Sequence, residues 1–163
     1  MSPNSPTEET ITAFRSKLRG PLLLEDAHRE AFQESCTIWN GMIRSRPALV
    51  VRPTGTADVV ECVRFAGELG MPISAKGGGH NIAGTSLVDS GLMLDMCRMR
   101  GVRVDPRQKV AHVQAGCLLG DVDRETQLHG LAAVLGFVSE TGLAGLTLGG
   151  GIGYLTRRFG WTC

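Results

Sequence analysis

The chain has no excess of charge of either sign. Seventeen Lys and Arg stand against 16 Asp and Glu, a formal net charge of +1, and the basic residues form no block. That balance gives neither nucleic acid nor an anionic membrane a reason to be a partner. Long apolar runs are missing too: nothing approaches the roughly 18 to 20 residues of a membrane span. The opening "MSPNSPTEETITAFRSKLRG" has two early acids and no uninterrupted apolar stretch, so it does not read as a secretion signal. Five cysteines are present, Cys36, Cys62, Cys97, Cys117 and Cys163, an odd number at wide spacing. They form no CxxC or Cys/His pattern, which argues against zinc and leaves free thiols in a reducing cytoplasm as the expectation.

What the chain does have is glycine, 22 in 163 residues, about twice ordinary usage. With 42% apolar and 20% charged residues it is globular in composition, long enough for one ordinary domain. The glycines concentrate in residues 77–79 and 142–153, which points to local backbone demands.

Two helices announce themselves. Ser5-Pro6-Thr7-Glu8 reads as a capping box with proline at the first helical position. Ile11, Phe14 and Leu18 then form one stripe, ended by Gly20-Pro21. Residues 22–46 read as irregular, with a short turn near 31–35. Thr56 is the expected cap of the second helix, with Asp58 in its first turn, Val59, Cys62, Val63, Ala66 and Leu69 on its buried face, and Gly70 as its stop. Strands are expected at 48–51 and 71–74 around it, a strand–helix–strand unit that demands a parallel pair. Further strands are expected at 91–95, 101–104 and 109–115, and a third helix over 119–129 ending at Gly130.

The first glycine cluster, "SAKGGGHNIAG" (74–84), falls at the end of the strand at 73–75. Successive glycines there let consecutive N–H groups turn to one side and hold an anion such as phosphate. Lys76 would add a positive charge at the mouth. A P-loop needs GK[ST] after its glycines, but Gly79 is followed by His80-Asn81. The GxGxxG fingerprint fails as well, because Ile82 occupies its last glycine position. The second cluster, "TGLAGLTLGGGIGYLTRRFG" (141–160), is dense enough in glycine to disfavour any regular element. Two such loops in one domain suggest a dinucleotide, with nicotinamide and flavin both open at this point.

Four blocks in order carry a resemblance: "RPALVVRPTGTADVVECVRFAGELGMPISAKGGGHNIAGTS" (46–86), "GLMLDMCRMRGVRVDP" (91–106), "VQAGCLLGDV" (113–122) and "GLAGLTLGGGIGYLTRRFGWTC" (142–163). The chain resembles the FAD-binding domain of the vanillyl-alcohol-oxidase/p-cresol-methylhydroxylase superfamily, and within it the berberine-bridge-enzyme-like FAD-linked oxidases. The resemblance implies an α+β fold, an FAD-binding domain of two α/β subdomains that is incomplete at its C-terminus. Residues 1–45 would be a helical lead-in and 46–163 the flavin domain.

The same resemblance implies the site. Lys76, Gly77, Gly78, Gly79, His80 and Asn81 would form the pyrophosphate loop, with His80 bonded covalently to the flavin 8α-methyl carbon and Ser86 supporting the loop. Thr141, Gly142, Gly145, Leu146, Gly149 and Gly150 would line the adenosine and pyrophosphate side. Asp95 reads as structural and Cys117 as core. Doubly tethered relatives carry a cysteine where this chain has Val138, so a single histidyl link is expected. No metal is expected.

In the family, the remaining flavin strands, the substrate domain and the tyrosine base follow beyond this point, and Tyr154 is the only tyrosine here. The expected function is the front part of an FAD-linked oxidoreductase that takes hydride from a substrate C–H and passes electrons to molecular oxygen. The alternative is an inactive flavin-binding or interaction fragment. A nicotinamide dehydrogenase is disfavoured by the failed fingerprint. Alone, the chain is expected to bind FAD weakly or not at all, to oxidise nothing and to self-associate. A small molecule is the expected substrate.

Overall fold

Residues 6–162 are described by the computed structural model. They form a mixed α+β fold with a four-stranded sheet and a two-stranded sheet. The larger sheet is built from β1 (Leu22–Leu23), β2 (Leu49–Val51), β3 (Ile73–Lys76) and β4 (Leu92–Asp95) in the order β1-β2-β4-β3. β2 and β3 each pair in parallel with β4, and β1 pairs antiparallel with β2. The expected strand–helix–strand unit is therefore present with β4 inserted between its two strands. Its crossover helix is α3 (Thr56–Leu69).

The near-continuous apolar runs of β2 and β4 follow from burial on both faces. Leu49, Val51, Leu92 and Leu94 turn to one side, against Phe14, Cys62 and Phe65 of the helices α1 (Glu8–Lys17) and α3. Val50 and Met93 turn to the other, against Phe32 of α2 (Arg29–Cys36). Phe14 and Phe65 stack with centroids 3.9 Å apart and planes 9° from parallel, an aromatic contact that joins α1 to α3.

The smaller sheet pairs β5 (Val102–Asp105) with β6 (Val110–Val113) antiparallel. α4 (Leu119–Gln127) covers it through Leu119 and Val122, with Leu143 and Leu146 of α5 (Leu143–Gly149) completing that core. A short helix α6 (Thr156–Phe159) precedes a bridge between Gly151 and Thr162.

Several local expectations are corrected. α1 is capped by Thr7, whose Oγ1 accepts from the Thr10 amide at 3.2 Å, and it ends at Lys17, ahead of Gly20-Pro21. Ser5 and Cys163 lie outside the described residues. Residues 22–46 are not irregular: they supply β1 and all of α2. Gly55, not Thr56, is the cap of α3. Its buried face takes in Phe65, which stacks on Phe14 of α1, while Val63 is exposed. Asp58 is buried and accepts from the amides of Arg19, Gly20 and Thr54 and from the Thr54 hydroxyl. Gly70 stops α3 as expected, with φ 59°. The second glycine cluster does carry a helix, α5. Leu143 and Leu146 sit three residues apart and both anchor on the α4 core, which outweighs a glycine penalty of about 1 kcal/mol per residue.

Candidate functional site

The parallel strands deliver their carboxyl ends to one edge, the place where open α/β sheets bind ligands. β3 runs out at Lys76, and Gly77, Gly78 and Gly79 follow at once. Gly79 sits at φ +71°, a conformation that favours glycine. Across from this loop lies the turn into α5. It is held by the smaller core, with the Leu143 amide on the Cys117 carbonyl at 2.9 Å and the Leu119 amide on the Thr141 carbonyl at 2.9 Å.

The two glycine loops meet and enclose a cleft of about 510 Å³, within the roughly 300–1,000 Å³ of small-molecule sites. Gly77, Gly78, Gly79, His80, Asn81 and Ser86 line one wall, and Thr141, Gly142, Gly145, Leu146 and Gly150 line the other. Eleven of the thirteen residues expected at the site are thus brought together. Gly149 is not among the lining residues. Neither is Lys76: its charge is not at the mouth. Side chains alternate along a strand, so Ala75 faces the cleft while Lys76 turns to the opposite face of the sheet. There its ammonium donates to the Ser35 carbonyl at 2.5 Å and lies 3.6 Å from the Asp95 carboxylate. Reasoning from sequence missed Thr85, Met96, Ala115, Ala144 and Leu148 on the cleft wall. Ala75 and Ala115 could have been found from strand alternation; Met96 opens a 3-10 turn that no periodicity marks.

Two observations show what the cleft can hold. The Ser86 hydroxyl is buried with no hydrogen-bond partner among the described residues, while its carbonyl accepts from Ser74. A buried hydroxyl left unpaired is costly unless a ligand completes it. The amides of Gly78, Gly79 and His80 likewise find no acceptor among the described residues. Free donors on a bare backbone suit an anion. His80 is half-buried and its ring makes no hydrogen bond among the described residues. The residues present therefore fit a phosphate-bearing ligand.

The charges nearby are structural. Asp95 is buried between Lys76 and Arg52, whose Nε lies 3.4 Å away. Asp121 caps α4 through the Leu118 amide and receives two prongs from Arg100. Burial raises the pKa of Asp121, but the Arg100 and Leu118 hydrogen bonds and the charges of Arg100 and Arg124 outweigh it and hold the carboxyl below its ordinary value. Burial pushes the Cys117 thiol up, consistent with a core residue. A larger depression of about 800 Å³ lies between α1 and α3, walled by Lys17, Glu61, Arg64 and Glu68. It contains no glycine-rich backbone and no buried unpaired polar atom among the described residues, so the smaller cleft is the candidate site. Among the described residues no cluster of metal-ligating side chains occurs, and no helix is long and apolar enough to cross a membrane.

Known proteins share this sequence pattern and fold. Residues 47–163 match the family described as FAD binding domain. An FAD-linked oxidoreductase of Dictyostelium discoideum is 43% identical over 94% of this chain and 33% of its own length. The (R)-6-hydroxynicotine oxidase of Paenarthrobacter nicotinovorans is 36% identical over 89% of this chain and 32% of its own. Among solved structures, a glucooligosaccharide oxidase from Acremonium strictum, which carries a 6-S-cysteinyl, 8α-N1-histidyl FAD, superposes with a TM-score of 0.85. It is 32% identical over 93% of this chain and 32% of that one. The chain spans about a third of the length of the curated relatives it matches.

Proposed function

This chain belongs to the FAD-binding-domain family of the vanillyl-alcohol-oxidase/p-cresol-methylhydroxylase flavoproteins, and from that premise we propose that it is the part of an FAD-linked oxidoreductase that holds and tethers the cofactor. The observation that carries the reading is the cleft between the two glycine loops, with its orphaned Ser86 hydroxyl and its free amides. The amides of Gly78, Gly79 and His80 would take the diphosphate, with Asn81 beside them, and Ser86 would donate to a neighbouring oxygen. Thr141, Gly142, Gly145, Leu146 and Gly150 would close the other side. Bound FAD would supply the two-electron acceptor for hydride from a substrate C–H, with molecular oxygen as the final oxidant in the whole protein. His80 is the residue we assign to a single covalent link, its ring being free of any protein hydrogen bond among the described residues. Val138 stands where a second link would need a sulfur.

Substrate turnover belongs to the whole protein in this reading. His80 is the one titratable side chain on the cleft wall, and Tyr154, the only tyrosine, is almost fully exposed. The cleft's own residues bind and orient; they offer no second group to take a substrate proton. In the division we propose, 1–45 lead in and 46–163 form the flavin-binding unit.

Acid precipitation of the whole protein tests this. A yellow pellet whose flavin-bearing peptide contains His80 is the expected result. A colourless protein that leaves the fluorescence of added FAD unchanged would remove the reading.

A further inference from the structure

Residues 35–43 lie ahead of the stretch that carries the family pattern, yet they run along the outer side of the first glycine loop and hold it at successive points. The Lys76 ammonium donates to the Ser35 carbonyl at 2.5 Å. The Trp39 amide donates to the Gly79 carbonyl at 3.0 Å. The Asn40 side chain donates from Nδ2 to the Ile82 carbonyl at 2.7 Å, while its Oδ1 accepts from the Met42 amide at 3.1 Å. A Cβ at Gly79 would come into contact with Ile38, and Gly84, at φ +73°, lies so close to Ile43 that a Cβ there would collide with it.

The base of this segment is fixed as well. Arg52, just beyond β2, and Lys76 and Asp95, which end β3 and β4, project to the face where α2 packs. Arg52 donates to the Ser35 hydroxyl at 2.9 Å and to the Ala31 carbonyl at 3.1 Å. Two cations thus grip the C-terminal end of α2, the end whose carbonyls favour positive charge.

The pattern of pinned carbonyls has a consequence for the cleft. Gly79 and Ile82 flank His80-Asn81, and both carbonyls are turned toward the segment. In a planar trans peptide the carbonyl and the following N–H point in opposite directions, and no cis bond occurs among the described residues. Holding the Gly79 carbonyl outward therefore turns the His80 amide inward. We propose that residues 35–43 are a positioning brace for the His80 loop, setting the orientation of its amides and with it the loop's affinity for FAD. The FAD part of this inference rests on the function proposed above; the brace itself does not.

Asn40 offers the cleanest test, because its contact with the loop is a side-chain one at a half-exposed site. Asn40→Asp keeps the acceptor for Met42 and loses the donor to Ile82; Asn40→Ser cannot span to Ile82. Met42→Ala, at an exposed neighbouring position, is the control. Hydrogen–deuterium exchange of the FAD-free chain should show the loop amides that have an acceptor, Gly84 and Thr85 on Asn81, exchanging several-fold faster in both Asn40 variants and unchanged in the control. In the FAD-free whole protein the loss of one such bond should weaken FAD binding, read by quenching of added FAD, on the order of five-fold, with melting temperature within roughly 4 °C of wild type. Wild-type exchange together with wild-type FAD affinity in both Asn40 variants would overturn the brace. Failure of the wild-type whole protein to bind FAD would instead overturn the FAD reading, and the exchange measurement would still decide whether residues 35–43 hold the loop.

Discussion

The backbones of Gly78 and Gly142 touch: a Cβ on either one would collide with the amide nitrogen and α-carbon of the other. One glycine ends the first loop's approach and the other starts α5, so this contact is where the two halves of the site meet. Gly142 has an ordinary φ of −68°, and its lack of a side chain answers to space alone. Gly142→Ala should force the loops apart, with overpacking of about 1–3 kcal/mol, and weaken FAD binding at least as much as it lowers stability. Gly149, in the same helix but with open space around it, should accept alanine and gain up to about 1 kcal/mol. FAD titration and thermal melting of the two variants side by side check the contrast; an undisturbed cleft in Gly142→Ala would refute it.

His80→Ala should leave any bound flavin extractable by denaturation, where the wild-type whole protein retains it. Mass spectrometry of the wild type should find one flavin-modified peptide, containing His80. Flavin retained by the variant, or a flavin-bearing cysteine peptide, would dismiss the assignment of His80 or of the Val138 position.

Asp58 should make the fold sensitive to acid. Burial raises its pKa, but hydrogen bonds from Thr54, Arg19 and Gly20 together hold it below the ordinary 3.8. Because the folded value is the lower one, its stabilisation is present above pH 3.8 and fades as the pH falls through the folded value. Asp58→Asn should therefore be less stable than wild type near neutrality and approach it in strong acid. Denaturant unfolding across that range measures the gap; a gap independent of pH would mean that the charge is not the source.

The Cys62 thiol is fully buried and pushed up to about 12 by burial, with Asp58 and Glu61 adding to it. At pH 8 an alkylating reagent should leave Cys62 untouched in the native protein and, among the described cysteines, modify the exposed Cys97 first. Peptide mapping after a timed reaction reads this directly, and early labelling of Cys62 would show that the sheet's helical cover opens.

Leu148, at the cleft's edge, and Ile152 and Tyr154 are all exposed within the second glycine cluster, and exposed apolar side chains of this kind drive association. Light scattering behind size exclusion should show the chain as larger than a monomer, and Leu148→Glu with Ile152→Glu should shift it toward one. A monodisperse wild-type monomer would contradict this.

What could be read from the residues divides along physical lines. β2 and β4 were legible because strands buried on both faces write unbroken apolar runs, and the Gly70 stop because a left-handed cap needs glycine. α2 was not, since Phe32 and Ser35 are the only residues it buries fully and no side-chain cap marks its start. α5 was hidden by its own glycines, and only the core beneath Leu143 and Leu146 reveals it. Val63 was misplaced because the buried face of α3 runs through Asp58, Cys62, Phe65 and Ala66, and Phe65 finds its partner, Phe14, on another helix. The site residues were legible as a set, through glycine and His80. The direction of Lys76 was in principle readable too, from its alternation with Ala75.

The insertion of β4 between β2 and β3 imposes an order on the protein's birth. As the chain leaves the ribosome, β2, α3, β3 and the whole His80 loop emerge before Leu92 is made. None of the parallel pairing can close until residues 92–95 arrive to fill the gap. Until then the loop's carbonyl contacts to residues 35–43 have no sheet beneath them, and the facing wall at Gly142 is dozens of residues from existing. Long-range pairing of this kind is slow to form and exposes unpaired edges while it waits. A cofactor held in the cleft beside the Gly78–Gly142 contact must be a late guest, arriving after both glycine loops have been synthesised and the middle strand is seated.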